Sequence, residues 1–227
     1  MKIENMKPKT TSGAYERVFG NKEVGDLITQ IQATVISNGT ELERMILSHC
    51  TQIDDVDSFI TSVTHAEQAN GIYVATKKVI KKSVHTVPGI EPDIIIFIVE
   101  QNRICKIIEL KDGYMFDTKK VKGEKQNLEL FTEKFGSKIP FVAEWYICCF
   151  NENDKTIIRE GLKNEFDETH ILTGREFCSI LQIDYDEIIR QRHADCKQNL
   201  QYFIKELMTI DEVAELASTY TRKRDLF

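Results

Sequence analysis

Apolar residues between positions 23 and 48 recur at the spacing of amphipathic helices. In residues 23–36 they recur every three or four positions, which predicts a helix with one face toward a core. The polar "SNG" at 37–39 indicates the end of that helix. A second helix is predicted to begin at Thr40, because Glu43 stands three residues further on and completes a capping-box pattern.

Two apolar runs further along the chain predict a buried antiparallel hairpin. "DIIIFIV" at 93–99 and "ICKIIEL" at 104–110 are short and rich in β-branched residues, and the polar "EQNR" separates them. The preceding stretch, residues 71–84, is ambiguous, because its lysines have helical spacing while its Val and Ile content favours a strand. We expect a helix there that runs into an extended segment.

The second half of the chain predicts helices that alternate with strands. A helix is expected at 117–135, with Gly123 inside it, a strand at 141–150, and a short strand in "KTIIRE" at 155–160. Thr173 and Glu176 form a capping box that opens a helix to about 181, and residues 184–217 are expected to be mostly helical. This order favours an α/β or mixed α+β class, and we take α/β, as one domain over residues 1–227 with a helical part at about 170–220.

Charged residues at the ends of the predicted hairpin are the strongest functional signal. If the turn is centred on Gln101, Asp93 lies opposite Glu109, with Cβ atoms about 4.5–5.5 Å apart. Two unpaired anions so close in a buried sheet would be strongly destabilising, so a positive charge is expected between them. A hard divalent cation such as Mg²⁺ prefers oxygen ligands and takes one or two carboxylates. Lys111 shares the face of Glu109, while Leu110 points away.

Such a cluster suits the hydrolysis of a phosphodiester. A metal lowers the pKa of its bound water and polarises a phosphoryl oxygen, and a neighbouring lysine orients the nucleophile and stabilises developing charge. The alternative is a surface hairpin end without function, where Asp93 caps a turn and Glu109 pairs with Lys111. The long apolar flanks favour the first interpretation.

The same residues resemble the PD-(D/E)XK nuclease signature. "EPDIIIFIV…KIIELK" places Pro92 and Asp93 before one strand and Glu109 and Lys111 at the end of the next. The resemblance covers about residues 39–150. It implies a restriction-endonuclease-like fold, with a four-stranded mixed central sheet flanked by helices, and Mg²⁺-dependent hydrolysis that leaves 5′-phosphates. It also implies the backbone carbonyl of Leu110 as a metal ligand.

An accessory acid on an N-terminal helix is a further implication of this resemblance. Glu43 is similar to that acid, with Glu41 as its substitute, although the capping box alone would also explain Glu43. "DGYMFDTKK" and "ILTGREFCSIL" look like stretches of type II restriction endonucleases, which implies a site-specific enzyme. Another DNA nuclease of the superfamily, for repair, junctions or mobile elements, and a non-catalytic DNA-binding or partner-binding module remain alternatives.

Composition and charge exclude several classes of protein and indicate one basic segment. The formal net charge is −6, yet residues 75–125 carry eleven Lys/Arg against seven Asp/Glu, so one basic segment lies on an acidic chain. Within it, four lysines that follow the signature either contact DNA phosphates or form a solvated helix face: Lys119, Lys120, Lys122 and Lys125. No apolar run reaches the ~18 residues of a membrane helix, the cysteines show no metal-ligand spacing, and the phosphate-binding glycine motifs are absent. We expect a cytoplasmic protein with reduced thiols.

Symmetry predicts the assembly. One chain carries one candidate site, whereas cutting both strands of double-stranded DNA requires two sites in antiparallel orientation. A twofold homodimer on a palindromic sequence provides them. A cognate DNA methyltransferase is the expected functional partner of such an enzyme.

Overall fold

The structure is a computed structural model that describes residues 2–7 and 13–224, with the backbone alone for 221–224. The helices are α1 Gly13–Phe19, α2 Lys22–Ser48, α3 Val56–Thr64, α4 Lys77–Ile80, α5 Thr118–Gly136, α6 Lys155–Gly161, α7 Gly174–Leu181, α8 Tyr185–His193, α9 Cys196–Met208 and α10 Asp211–Arg224. The strands are β1 Gly71–Thr76, β2 Ile94–Val99, β3 Ile104–Lys111, β4 Val142–Cys149 and β5 Ile171–Thr173.

These elements fall into two compact units. One comprises the described residues of Met1–Leu42 and of Asp186–Phe227, and it is helical. The other, Glu43–Tyr185, contains the whole sheet and every predicted catalytic residue. That one nuclease domain spans residues 1–227 stays a prediction.

The sheet is mixed, as predicted for an α/β protein. Its five strands lie in the order β1-β2-β3-β4-β5. The first three are antiparallel neighbours, whereas β3, β4 and β5 run parallel. The fifth strand exceeds the four that the resemblance implied. It escaped prediction because its three residues end at Thr173, which also caps the following helix.

The hairpin has the predicted register. Ile94 pairs with Ile108 and Ile98 with Ile104 across β2 and β3. Because facing side chains of an antiparallel pair share one face, the odd-numbered residues of both strands point the same way. The residues that precede Ile94 and follow Ile108, Asp93 and Glu109, therefore continue the ladder on that face.

The odd-numbered face of the sheet carries the main core. Helices α3 and α5 bury their apolar faces there, with residues such as Phe59, Phe131 and Phe135 against Phe97 and Ile107. The rings of Phe59 and Phe97 lie 5.1 Å apart, as do those of Phe131 and Phe135. Each fully buried aromatic side chain contributes about 1.5–3 kcal/mol by leaving water. This packing fixes α5 over the strands that carry the predicted site.

Most predicted elements of the second half are confirmed. The expected helix at 117–135 is α5, with the side chain of Asp117 capping its first turn, and the strand at 141–150 is β4. The capping box of Thr173 and Glu176 is present in both directions at the start of α7. The chain beyond 184 is mostly helical.

The two helices predicted around residues 37–40 are one continuous helix, so the predicted break is wrong. Helix α2 runs through Gly39 and Thr40 to Ser48. A glycine inside a helix costs about 1 kcal/mol. Leu42 and Ile46, one turn apart and 1% and 0% exposed, gain more than that by burial, so the packed face overrides the local stop signal.

Two further elements differ from the prediction. Residues 71–84 form a strand and then a short helix, the reverse of the expected order, because β1 pairs along its full length with β2. "KTIIRE" is the helix α6 rather than a strand. Asp154 accepts a hydrogen bond from the backbone N–H of Thr156 at 2.8 Å, and this cap starts a helix that buries Ile158 and leaves Ile157 exposed.

Helix α6 also fixes the segment that leaves β3. A Cβ atom on Gly161 would collide with the carbonyl oxygen of Tyr114, and the backbone N–H of Phe116 donates to the carbonyl of Gly161 at 3.4 Å. The chain that follows Lys111 therefore packs tightly against α6 before α5 begins.

The cysteines are all free thiols, as expected. Burial raises the pKa of Cys50 to about 11 and that of Cys178 to about 12. Such thiols stay protonated and unreactive at neutral pH. In the described part of the chain, no helix is long and apolar enough to cross a membrane.

Candidate active site

Asp93 and Glu109 meet at the end of the hairpin, as the register predicted. Asp93 follows the buried Pro92 immediately before β2, and Glu109 lies near the end of β3 with 9% of its surface exposed. The carboxylate Oδ2 of Asp93 accepts a hydrogen bond from the backbone N–H of Leu110 at 3.0 Å. That bond ties Asp93 to the neighbouring strand and holds both carboxylates on one face.

The backbone carbonyl of Leu110 is placed toward the same point. The N–H and the C=O of a strand residue point toward the same neighbouring strand. Since the N–H of Leu110 points at Asp93, its carbonyl oxygen faces the Asp93 side as well. Its half-buried side chain points to the opposite face, as predicted.

Lys111 provides the positive charge beside Glu109. Its Nζ lies 2.5 Å from Oε1 of Glu109 and 3.0 Å from Oε1 of Glu124, and its side chain is 16% exposed. The sequence had not singled out Glu124. Glu124 lies on α5 between the buried Val121 and Leu128 at helical spacing, and a carboxylate on an apolar helix face was the available signal.

Lys77 is the second residue that the sequence interpretation missed. Its Nζ lies 3.5 Å from Oδ1 of Asp93, and its backbone N–H donates to the carbonyl oxygen of Asp93 at 3.1 Å. Thr76 pairs with Ile94, so the residue after β1 lies beside the residue before β2. Recognising β1 as a strand would have revealed this position.

Glu43 reaches the same cluster from α2. Burial raises the pKa of the half-buried Glu43, the charge of Asp93 raises it further, and Lys77 opposes the rise, so Glu43 interacts with both residues. Residues two apart on a helix do not share a face. The structure therefore favours Glu43 over the substitute, Glu41.

The six charged side chains that meet here carry more negative than positive charge. Four carboxyl groups, Glu43, Asp93, Glu109 and Glu124, stand against two ammonium groups, Lys77 and Lys111, which leaves two formal negative charges when all six groups are ionised. Burial raises the pKa of Glu109 to about 7, Asp93 adds to the rise, and Lys111 opposes it. Burial alone would lower the pKa of Lys111, but Glu109 and Glu124 outweigh burial and raise it.

The donor set fits a hard divalent cation. The facing carboxylates of Asp93 and Glu109 and the carbonyl of Leu110 are oxygen donors, and the surplus of two negative charges equals the charge of Mg²⁺. Within residues 2–7 and 13–224, no group of three or more His, Cys, Asp or Glu side chains is arranged to hold a metal ion as it stands. The Lys111 ammonium lies against Oε1 of Glu109 and Oε1 of Glu124, so a metal on Glu109 must either bind Oε2 or displace this lysine.

The cluster opens into a cleft of about 360 Å³. Lys77, Pro92, Glu109 and Glu124 contribute to its walls, together with apolar residues of α5. The cleft lies wholly within the unit Glu43–Tyr185. A phosphate group in this cleft would lie beside Lys77, Glu109 and Glu124, the members of the cluster that line it.

The four lysines predicted to contact DNA all lie on the N-terminal half of α5. Lys119 and Lys120 are exposed on its first turn. Lys122 lies 3.4 Å from Glu165, and Lys125 lies 3.9 Å from Glu129. Contact of these lysines with DNA stays a prediction.

The raised pKa of Glu109 predicts a pH-dependent stability. The native carboxyl keeps its proton up to about pH 7, whereas in the unfolded chain it ionises near 4.5. Its contribution to stability is therefore present below pH 4.5 and is lost as the pH rises through 7. The free energy of unfolding of the wild type minus that of Glu109→Gln should fall over this window by on the order of 3 kcal/mol. Urea denaturation at a series of pH values measures this difference, and parallel curves would contradict the assignment.

Comparison with known proteins gives the family. The chain is 52% identical over 211 residues to the type II restriction enzyme HhaII of Haemophilus parahaemolyticus, and the match covers 91% of this chain and 93% of that protein. No protein-family model and no solved structure matches the chain. Identity at this level over nearly the full length of both proteins is decisive, and the chain belongs to the type II restriction enzyme family of HhaII, a family of endodeoxyribonucleases.

Proposed function

We propose that the chain is a Mg²⁺-dependent restriction endonuclease with a PD-(D/E)XK active site, which hydrolyses phosphodiesters of double-stranded DNA at a specific sequence and leaves 5′-phosphate ends. The observation that carries this proposal is the facing pair Asp93 and Glu109, with Lys111 on the same face, at a cleft that Glu109 lines. The mixed sheet is compatible with a restriction-endonuclease-like fold.

Each residue has a defined role in this proposal. Asp93, Glu109 and the carbonyl of Leu110 hold the metal, with Glu43 as an accessory acid. The bound metal supplies a more acidic water and polarises a phosphoryl oxygen. Lys111 orients the attacking water and stabilises the charge that develops on the phosphate. Lys77, beside Asp93 at the cleft wall, offsets the charge of a bound phosphate.

The class of enzyme indicates where the chain acts and which enzyme accompanies it. The substrate is DNA in the cytoplasm, and we propose a cognate DNA methyltransferase that modifies the recognition sequence in the host. Genomic DNA from the organism that carries this chain should then resist cleavage, while the same DNA amplified in vitro is cut. Equal cutting of both samples would contradict such a partner.

Digestion of DNA tests catalysis directly. Purified protein with Mg²⁺ should cut long unmethylated DNA into discrete fragments, and EDTA should abolish cutting. Asp93→Ala should lower the cleavage rate by on the order of 10²-fold or more, because the metal loses a ligand fixed by the backbone, while Glu133→Gln, an exposed change on α5, should not. Gel electrophoresis and end sequencing measure rate, site and end chemistry.

Other outcomes of that digestion favour other functions. Cutting that depends on DNA structure rather than sequence would favour a repair or junction nuclease. DNA binding without cutting under Mg²⁺ or Mn²⁺ would contradict catalysis and favour a binding module.

The exposed lysines at the start of α5 are candidates for contact with DNA. We propose that Lys119 and Lys120 bind phosphates, because both are exposed on the turn that follows the active-site strand. Replacing both with Ala should weaken DNA binding regardless of sequence and should reduce the slope of log affinity against log salt by about 2 for each bound protomer, hence by about 4 for a dimer. Lys138→Ala, an exposed change beyond the other end of α5, is the control. Fluorescence anisotropy in EDTA measures binding without cleavage, and an unchanged slope would contradict the contact.

The enzyme acts as a homodimer in this proposal. One cluster of carboxylates per chain must serve two DNA strands, and α9 offers a surface for a second copy. Leu200, Ile204 and Met208, each one turn apart, are 62%, 49% and 45% exposed. An antiparallel crossing of two copies of α9 at Ile204 brings Leu200 beside Met208 of the second copy, so that an apolar centre forms at the twofold axis.

A charge placed on the apolar face of α9 tests whether this surface forms the dimer. Ile204→Glu should raise the dissociation constant of the dimer by at least about tenfold, because it places two like charges at the twofold axis. Val84→Glu, a change at a 77% exposed apolar residue of the sheet-containing unit, should leave the dimer intact. Sedimentation velocity distinguishes the two states. A monomeric wild type, or an Ile204→Glu dimer of unchanged affinity, would contradict this interface.

A further inference from the structure

The ammonium group of Lys111 is shared between two carboxylates that have different surroundings. Glu109 is on the same strand as Lys111, 2.5 Å from its Nζ, and belongs to the facing pair with Asp93. Glu124 comes from α5 and lies 3.0 Å from the same nitrogen. Only Glu109 is part of the proposed set of metal ligands.

A metal ion and the ammonium compete for Glu109. The Nζ of Lys111 lies against Oε1 of Glu109, and two cations repel each other at such short separations. Once Glu109 binds a metal through either oxygen, its negative charge is neutralised and its attraction for Lys111 is weakened. An ammonium that is 16% exposed and has no carboxylate beside it would carry a large desolvation penalty.

Glu124 removes that penalty without moving. It is held on α5 between Val121 and Leu128, which are 2% and 3% exposed, and its side chain is 22% exposed. The packing of α5 on the sheet fixes its distance from the end of β3. Its carboxylate can keep the ammonium at the end of β3 while Glu109 binds the metal.

We propose that Glu124 is a positioning residue that retains Lys111 beside the phosphate when the Glu109 carboxylate turns to the metal. This inference rests on the proposed function, since it assigns a partner to the lysine of that site. Two other roles make different predictions. A structural ion pair would affect stability alone, and an additional metal ligand would act without Lys111.

The first test measures the reactivity of Lys111 rather than activity. An amine-reactive ester acetylates exposed, unpaired lysines, and mass spectrometry follows each site. Lys111 should react slowly in the wild type with and without Ca²⁺. In Glu124→Gln it should react slowly without Ca²⁺ and at least about fivefold faster with it, because Glu109 then serves the metal and the lysine has no partner. Glu133→Gln should behave as the wild type.

Two results would overturn the inference at this stage. One is that Ca²⁺ raises the acetylation rate of Lys111 equally in the wild type and in Glu124→Gln. The other is a Lys111 that stays unreactive in Glu124→Gln with Ca²⁺ bound, as followed by calorimetry.

The second test is a double-mutant cycle on single-turnover DNA cleavage in Mg²⁺. When Lys111 is present, Glu124→Gln should slow cleavage by about 10-fold to 100-fold and leave the DNA affinity unchanged. In the Lys111→Ala background the same change should slow it by less than about twofold, because the residue acts through the lysine. Additive losses would assign Glu124 an independent role. A wild type that does not cut DNA would contradict the proposed function, whereas a cutting wild type with additive losses would overturn this inference alone.

Discussion

Two like charges held together at the end of a buried hairpin are the constraint on which the site depends. The register of β2 and β3 places Asp93 beside Glu109, and the backbone N–H of Leu110 fixes Asp93 there. Asp93 is held by that bond and Glu109 is 9% exposed, so neither side chain turns into open solvent. Lys77 and Lys111 supply positive charge that compensates the pair in part, and the raised pKa of Glu109 favours a proton there as well.

The topology of the sheet places the charged side chains that surround this carboxylate pair. Strand β1 runs antiparallel to β2, so its end brings Lys77 to the start of β2. Strands β3 and β4 are parallel, and a parallel pair needs a crossover connection. Helix α5 is that connection. It packs over the face that carries Lys111 and contributes Glu124. Mixed strand directions therefore surround one carboxylate pair with side chains from distant segments.

The sequence predicted the parts of the site that depend on local pattern. Two apolar, β-branched runs and the short polar turn between them were sufficient for the hairpin register, and the register was sufficient to pair Asp93 with Glu109. Glu124 and Lys77 were missed because they reach the site through long-range packing. Thr40 failed as a helix start because burial of Leu42 outweighs a local capping signal. Patterns within one element were reliable, whereas contacts between elements required the fold.

We propose that the facing carboxylates and the carbonyl of Leu110 hold a divalent metal, and anomalous diffraction from crystals soaked in Mn²⁺ would locate it. We expect a peak between the carboxylates of Asp93 and Glu109, lost in Asp93→Ala, with the Lys111 ammonium moved from Glu109 onto Glu124. Saturating Mn²⁺ with no peak at these carboxylates, or a peak that persists in Asp93→Ala, would contradict it.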